Sequence, residues 1–424
     1  MVIGVGIFIT PQMVAAKTNS VTLFFAAWIL GAGISICGAL TFAEIGARYP
    51  VAGGFYKIFS HCYHPAFAFM LNWSLVIINA SSAASVALMG AKYLAPVLLG
   101  STPTDGELSF MVVSIVLLLY AINMLGIRTG ATVQNFLSVL KITLILFFCS
   151  TIFFITKDNS ATTISSSNHQ IITSSNLLFA FGAGLISVFF SYGGYQNTIN
   201  FGEDVKEPQR TIPRAIFFAM TIILLLYLGI NFAYVQVLGF ENVKSSPLIA
   251  GALAESLLGK YGTAFTSVGI FISVLGFLNS ALLYNPRIWY AMADDKILPS
   301  IFKQVNEKRQ TQEFSLTFFT MLILLMFFWL KTFESLLNFV MFTDTFSLAT
   351  AAFCIFILRK NQSAHSYTGF RLKNILIPIV FIVTLLFVTT NVIITDPIQC
   401  RNGLIVFAVG FPLYKLFDYL IKRK

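Results

Sequence analysis

The chain has 424 residues, 57% hydrophobic and only 10% charged, with a net charge of +10. A soluble domain carries about 25% charged residues, so this composition excludes one and fits an all-α polytopic membrane protein. Long continuous apolar runs also exclude a β-barrel, whose segments are short and alternating.

A helical span needs about 20 apolar residues. Twelve spans are predicted, near 4–17, 21–46, 66–92, 108–126, 130–156, 176–201, 214–239, 262–289, 313–330, 333–358, 373–394 and 401–421. The first is short and opens at a glycine break. A broken helix needs two halves to cross a bilayer, so the natural start is expected upstream of Met1.

Positive charge orients the spans. With the loop after span 2 in the cytoplasm, the cytoplasmic side holds most of the 27 Lys and Arg, among them Arg48, Arg128, Arg359 and Lys415. The C-terminus is then cytoplasmic, and the locale is the plasma or inner membrane. The positive charge marks topology, and no basic patch on a soluble domain points to nucleic acid.

Two spans are interrupted. Ile3-Gly4-Val5-Gly6-Ile7-Phe8 opens the chain, and Phe190-Ser191-Tyr192-Gly193-Gly194-Tyr195-Gln196 breaks span 6. Lipid cannot satisfy unwound backbone, so such segments survive only where they line a cavity. Matching breaks in two halves are the best sequence pointer to a transporter's substrate site. The breaks fall at the first span of each group of five. An odd group size inverts the second group relative to the first.

The expected organisation is a first five-helix repeat at 1–158, an extracellular loop at 159–175 and a second repeat at 176–358. Two additional helices and a short tail occupy 359–424.

Lys141 lies about eleven residues into span 5, roughly 16 Å deep at the helical rise and about at the midplane. A lysine there is expensive and functional by default. Snorkelling or a static structural cation is the competing reading. Asp344 in span 10 is a candidate for pairing or gating. Asn279 and Ser280 in span 8 are candidates for touching the cavity. Asn79, Ser81, Ser82 and Ser85 in span 3 fit interhelical hydrogen bonding equally well. Glu44, at a helix end, is expected to pair with a nearby arginine.

Cys37, Cys62, Cys149, Cys354 and Cys400 form no C-x-x-C pair, so neither a disulfide framework nor a zinc site is expected. No H-E-x-x-H, G-x-S-x-G or P-loop pattern is present, and an enzyme is not expected.

Four segments carry a resemblance. They are Ile3-Gly4-Val5-Gly6-Ile7-Phe8-Ile9-Thr10-Pro11, the run from Ala43 to Tyr56, Ser191–Tyr195 with Gly202–Arg214, and the run from Tyr290 to Pro299. Together, in this order, they resemble the amino acid–polyamine–organocation transporter family. The Tyr-Gly-Gly-aromatic run is most similar to its L-type amino acid transporter branch. The resemblance implies a leucine-transporter-type fold with a 5+5 inverted repeat plus two C-terminal helices, and alternating access.

The resemblance also implies site roles. Amides of Ile3, Gly4, Val5 and Gly6 would take the substrate carboxylate, and carbonyls of Ser191, Tyr192 and Gly193 its amine. Phe190 matches an aromatic gate, and Lys141 a lysine that braces helices in place of sodium. Sodium coupling and a cofactor are therefore not expected, and proton coupling stands as one option beside exchange. Val5 stands where a small hydroxyl residue or alanine is common. Residues 93–107 contain no cysteine, so no disulfide-linked heavy chain is expected through that loop.

The implied activity is secondary transport of amino acids by proton symport or exchange. No acidic residue was evident near the two breaks, which favours neutral substrates. The competing expectations are a non-transporting amino acid sensor and a polyamine or cationic-substrate exchanger, which would want acidic residues in the pocket.

Overall fold

Among the described residues, apolar runs of the predicted length form ten helices long and apolar enough to cross a membrane. A computed structural model of the chain describes residues 6–49, 54–150, 174–196, 207–246, 248–330, 333–361, 372 and 375–422. In chain order the first helices are α1 (Thr10–Thr18), α2 (Val21–Arg48), α3 (Gly54–Cys62), α4 (Pro65–Leu99), α5 (Asp105–Met124) and α6 (Ile127–Ser150). Then follow α7 (Ser174–Tyr192), α8 (Pro208–Leu238), α9 (Phe240–Ser245), α10 (Ile249–Leu258) and α11 (Gly262–Asp294). The last four are α12 (Glu313–Leu330), α13 (Phe333–Asn361), α14 (Leu376–Thr395) and α15 (Pro397–Lys422). Among the described residues the only bridge of β type joins Asn306 to Thr311.

Every predicted span coincides with a helix or, for the first, with α1 and the turn before it. The expected 159–175 loop lies mostly outside the described residues. Short α3, α9 and α10 were not predicted, because each is too brief to cross a bilayer. Two of the helices begin where a side chain supplies a partner for their first amides. Thr104 and Glu107 form a reciprocal box at the start of α5, with Thr104 N–H donating to Glu107 Oε2 at 2.7 Å. His64 Nδ1 accepts from Ala66 N–H at the start of α4.

Packing fixes which faces are buried. Helices α4 and α11 sit at the centre, against each other and against neighbours on most sides. Phe110, Met321 and Leu225 stand outward on α5, α12 and α8, where acyl chains would cover them. The contacts come in matched sets. Helix α1 packs on α7, α2 on α8 and α4 on α11. Helix α6 packs on α11 and α8, while α13 packs on α4 and α2. Short α3 follows α2 just as α9 and α10 follow α8.

Candidate functional site

The first break is a tight turn at Gly6–Phe8 that leads into α1. The Gly6 carbonyl accepts from Ile9 N–H and from Thr10 Oγ1, each at 2.9 Å. The second break follows α7, whose last turn ends at Tyr192. Gly194 has φ 114°, a conformation open to glycine and closed to most residues. Its N–H donates to Gln196 Oε1 at 2.8 Å.

The two breaks touch. The hydroxyls of Thr10 and Ser191 are 2.5 Å apart. A Cβ on Gly6 would lie 3.0 Å from Ser191 Oγ and 3.1 Å from its Cα, so any larger residue requires Ser191 to give by a few tenths of an ångström. Backbone carbonyls freed by the unwinding find side-chain donors, as membrane depth requires. Tyr227 donates to Ser191 O and Tyr93 to Phe8 O, each at 3.2 Å.

This junction sets two opposite helix ends side by side. The N-terminus of α1 carries partial positive charge and the C-terminus of α7 partial negative charge. Beside them opens a cavity of about 90 Å³, whose walls include Gly6, Phe190, Ser191, Gly193, Tyr284 and Asp344. Five sequence-predicted residues thus meet: Gly6, Phe190, Ser191, Gly193 and Asp344. Ile3, Gly4 and Val5 lie outside the described residues, as do 202–206 of the loop motif.

Asp344 corrects one expectation. It is half-buried on α13 and forms part of the wall that holds both breaks. Sequence distance hid it, because α13 reaches the site through tertiary packing, chiefly on α4 and also on α7.

Two other predicted residues turn their side chains elsewhere. The Tyr192 ring lies between Trp28 and Tyr227, with centroids 5.8 and 5.1 Å away, and is absent from the cavity wall. Asn279 is fully buried, and its amide donates to Gly130 O at 2.9 Å and Gln134 Oε1 at 3.2 Å. It also accepts from Asn123 at 2.8 Å, so it ties α11 to α5 and α6. The face that α11 turns to the cavity is Phe277, Ala281 and Tyr284, two positions off the Asn279 stripe. Helical register was the available signal; polarity pointed to the wrong face.

On α4, Asn79 and Ser82 line the cavity. Asn79 also donates to Asn285 at 2.8 Å. Ser81 and Ser85 bond back to their own helix. Phe189, Gln196 and Met341 are wall residues that sequence reasoning missed.

Lys141 is buried near the middle of α6 and makes no ion pair with a described residue. Leu144 and Leu137 on the same face pack at Gly269 and Gly276 of α11. Lys141 therefore faces α11 near Ser273, apart from the cavity wall. Among the described residues no group of His, Cys, Asp and Glu is placed to hold a metal ion.

At the Arg48 end of α2, Glu44 is fully buried and anchors an ionic knot. It accepts from Arg48 Nε at 2.8 Å, from Arg359 at 2.8 and 3.0 Å, and from Leu372 N–H at 2.7 Å. The expected pairing with an arginine is present twice. Nearby, Lys57 of α3 pairs with Asp295 just past α11, and Lys303 pairs with Asp294. Burial, and next the Asp295 carboxylate, push the Tyr56 phenol upward.

The family described as "Amino acid permease" matches residues 1–413. The serine/threonine exchanger SteT of Bacillus subtilis (strain 168) is 29% identical over 419 residues, covering 97% of this chain and 92% of that protein. The human cystine/glutamate transporter is 26% identical over 421 residues, 98% of this chain and 82% of that protein. The human large neutral amino acids transporter small subunit 2 is 27% identical over 430 residues, 99% and 78% respectively. These relatives are transporters, not enzymes. The match runs through both broken helices and through the helix that carries Asp344, and the chain belongs to the amino acid permease family.

Proposed function

We propose that this protein is a secondary transporter that moves amino acids across a membrane by alternating access. The observation that carries the reading is the Thr10–Ser191 junction. It places an amide-rich helix start beside a carbonyl-rich helix end, complementary to the carboxylate and ammonium of a zwitterion. Gly4, Val5 and Gly6 would present amides, and Ser191 to Gly193 carbonyls. Phe190 in the wall supports a gating role.

The matched contacts of α1–α6 and α7–α13 support two interlocked five-helix units, 1–158 and 176–358, with α14 and α15 outside them. Such units rock against one another around a fixed midplane site. The knot at Glu44 ties α2 to α13, and it supports a closure that must release when that side opens. The arginine-rich end is assigned to the cytoplasm, with the C-terminus there and the protein in the plasma or inner membrane.

Exchange or proton symport would drive the cycle. Lys141 takes the place a sodium ion would otherwise brace, against α11, and is the candidate for proton coupling. SteT is a serine/threonine exchanger, which favours that mode. No disulfide-linked partner is proposed, because 93–107 lacks cysteine. The neutral-substrate expectation rested on a pocket without carboxylates, and Asp344 removes that ground.

The test is uptake of labelled amino acids into proteoliposomes, once with an inward proton gradient and once with internal amino acid. Uptake in either arm is the expected result, and the arm identifies the driving force. Binding without uptake in both arms would replace the transporter with a sensor.

A further inference from the structure

A carboxylate inside a membrane protein must be neutralised, hydrogen-bonded or hydrated. Asp344 forms no hydrogen bond or ion pair with any described residue. Its side chain borders the cavity that also contains Gly6 and Ser191. The described wall residues include no Lys, Arg or His. The titratable groups beside it are the phenols of Tyr195, after α7, and Tyr284, on α11. From α4 the cavity is met by Asn79 and Ser82, and Asn79 already donates to Asn285. Lys141, on α6, is not in the wall. Among the described residues, none supplies a counter-charge in this wall.

Substrate charges account for two of the three positions. On the reading proposed above, on which this inference rests, the α-carboxylate lies at the start of α1 and the α-ammonium at the end of α7. Both are met by backbone groups and helix ends, and neither needs Asp344. The carboxylate on α13 therefore remains for the side chain.

We propose that Asp344 is the side-chain subsite and that the preferred substrates are amino acids with a second cationic group, an ammonium or a guanidinium. Such a side chain balances the charge of the described wall: its positive charge meets the Asp344 carboxylate. A guanidinium can do so with two parallel hydrogen bonds. The phenols of Tyr195 and Tyr284 and the ring of Phe190 flank the carboxylate, and aromatic faces tolerate cations as well. A neutral side chain would leave the carboxylate uncompensated and partly dehydrated.

The experiment is counterflow in proteoliposomes with labelled lysine, ornithine, arginine, serine, threonine and leucine, for the unaltered protein and for Asp344→Asn. Asparagine keeps the size and removes the charge. Gel filtration and thermal unfolding in detergent establish that both proteins are folded. The expected result is a preference for the cationic set of about ten- to a hundredfold, the range of one charge-assisted hydrogen bond. In Asp344→Asn that preference disappears while uptake of serine or leucine is retained or rises.

Neutral-only uptake by the unaltered protein overturns this inference and leaves amino acid transport intact. Uptake of neither set, with no binding, overturns the transport reading and this one together. Loss of every substrate in Asp344→Asn, with pH dependence abolished, makes Asp344 a proton carrier and also overturns the subsite.

Discussion

The hydroxyls of Thr10 and Ser191 meet at 2.5 Å although 181 positions separate them in sequence. Each stands at a helix terminus, one at the start of α1 and the other in the last turn of α7. Their contact holds the two breaks in register and so fixes where opposite helix ends converge.

Gly6 sits so close to Ser191 that a Cβ would lie 3.0–3.1 Å from it, and a branched side chain would press the two breaks apart. Gly6→Val is expected to reduce uptake to background while the protein remains monodisperse. Thr10→Val removes one hydroxyl partner, a change of about 0.5–1.5 kcal/mol in stability, and is expected to weaken substrate affinity without abolishing expression. Uptake assays paired with gel filtration read both effects. Full uptake by Gly6→Val would show that the breaks need not touch.

Glu44 binds two arginines and a backbone amide with no exposure to solvent. Removing one member of a buried ion pair costs about 3–5 kcal/mol because the other charge is stranded. Glu44→Ala is expected to lower the midpoint of thermal unfolding in detergent by far more than Lys303→Ala, whose pair is exposed. Equal shifts for the two variants would contradict a structural knot at Glu44.

Lys141→Ala is expected to abolish pH-dependent uptake while the protein still folds, since deleting a buried ammonium without an ion pair among the described residues removes a desolvated charge. The check is uptake measured across a range of external pH, beside thermal unfolding. If the variant retains the same pH dependence, Lys141 carries no proton and serves only as a brace between α6 and α11.

Asn279→Ala is expected to lower stability by about 1–3 kcal/mol, the cost of leaving buried partners unsatisfied. Its partners are Asn123, Gly130 and Gln134, none of them in the cavity wall. The apparent KM should stay unchanged. A large KM shift with unaltered unfolding would return Asn279 to the substrate site.

Much of this architecture was legible in the residues. Long apolar runs dictate spans because lipid admits little else, and all twelve have their helix. The two glycine breaks were readable because glycine at membrane depth allows unwinding that other residues resist, and Gly6, Ser191 and Gly193 do meet. Asp344 was visible as a charge, but its membership of the cavity depends on how α13 packs on α4, which no local pattern encodes. Asn279 shows the converse. Its polarity suggested the cavity, whereas its register points it at α5 and α6. Tyr192 was assigned through its backbone carbonyl; its ring packs on Trp28 and Tyr227, because successive side chains on a helix face different neighbours.

The central claim is that a zwitterion is read by its two charges at two helix ends. The most direct test is competition in the proteoliposome assay between a transported amino acid and derivatives masked at one end only. The account predicts that the α-amide and the N-acetyl derivative each fail to compete, while the unmodified amino acid competes fully. Competition by either masked derivative at the strength of the parent would contradict it.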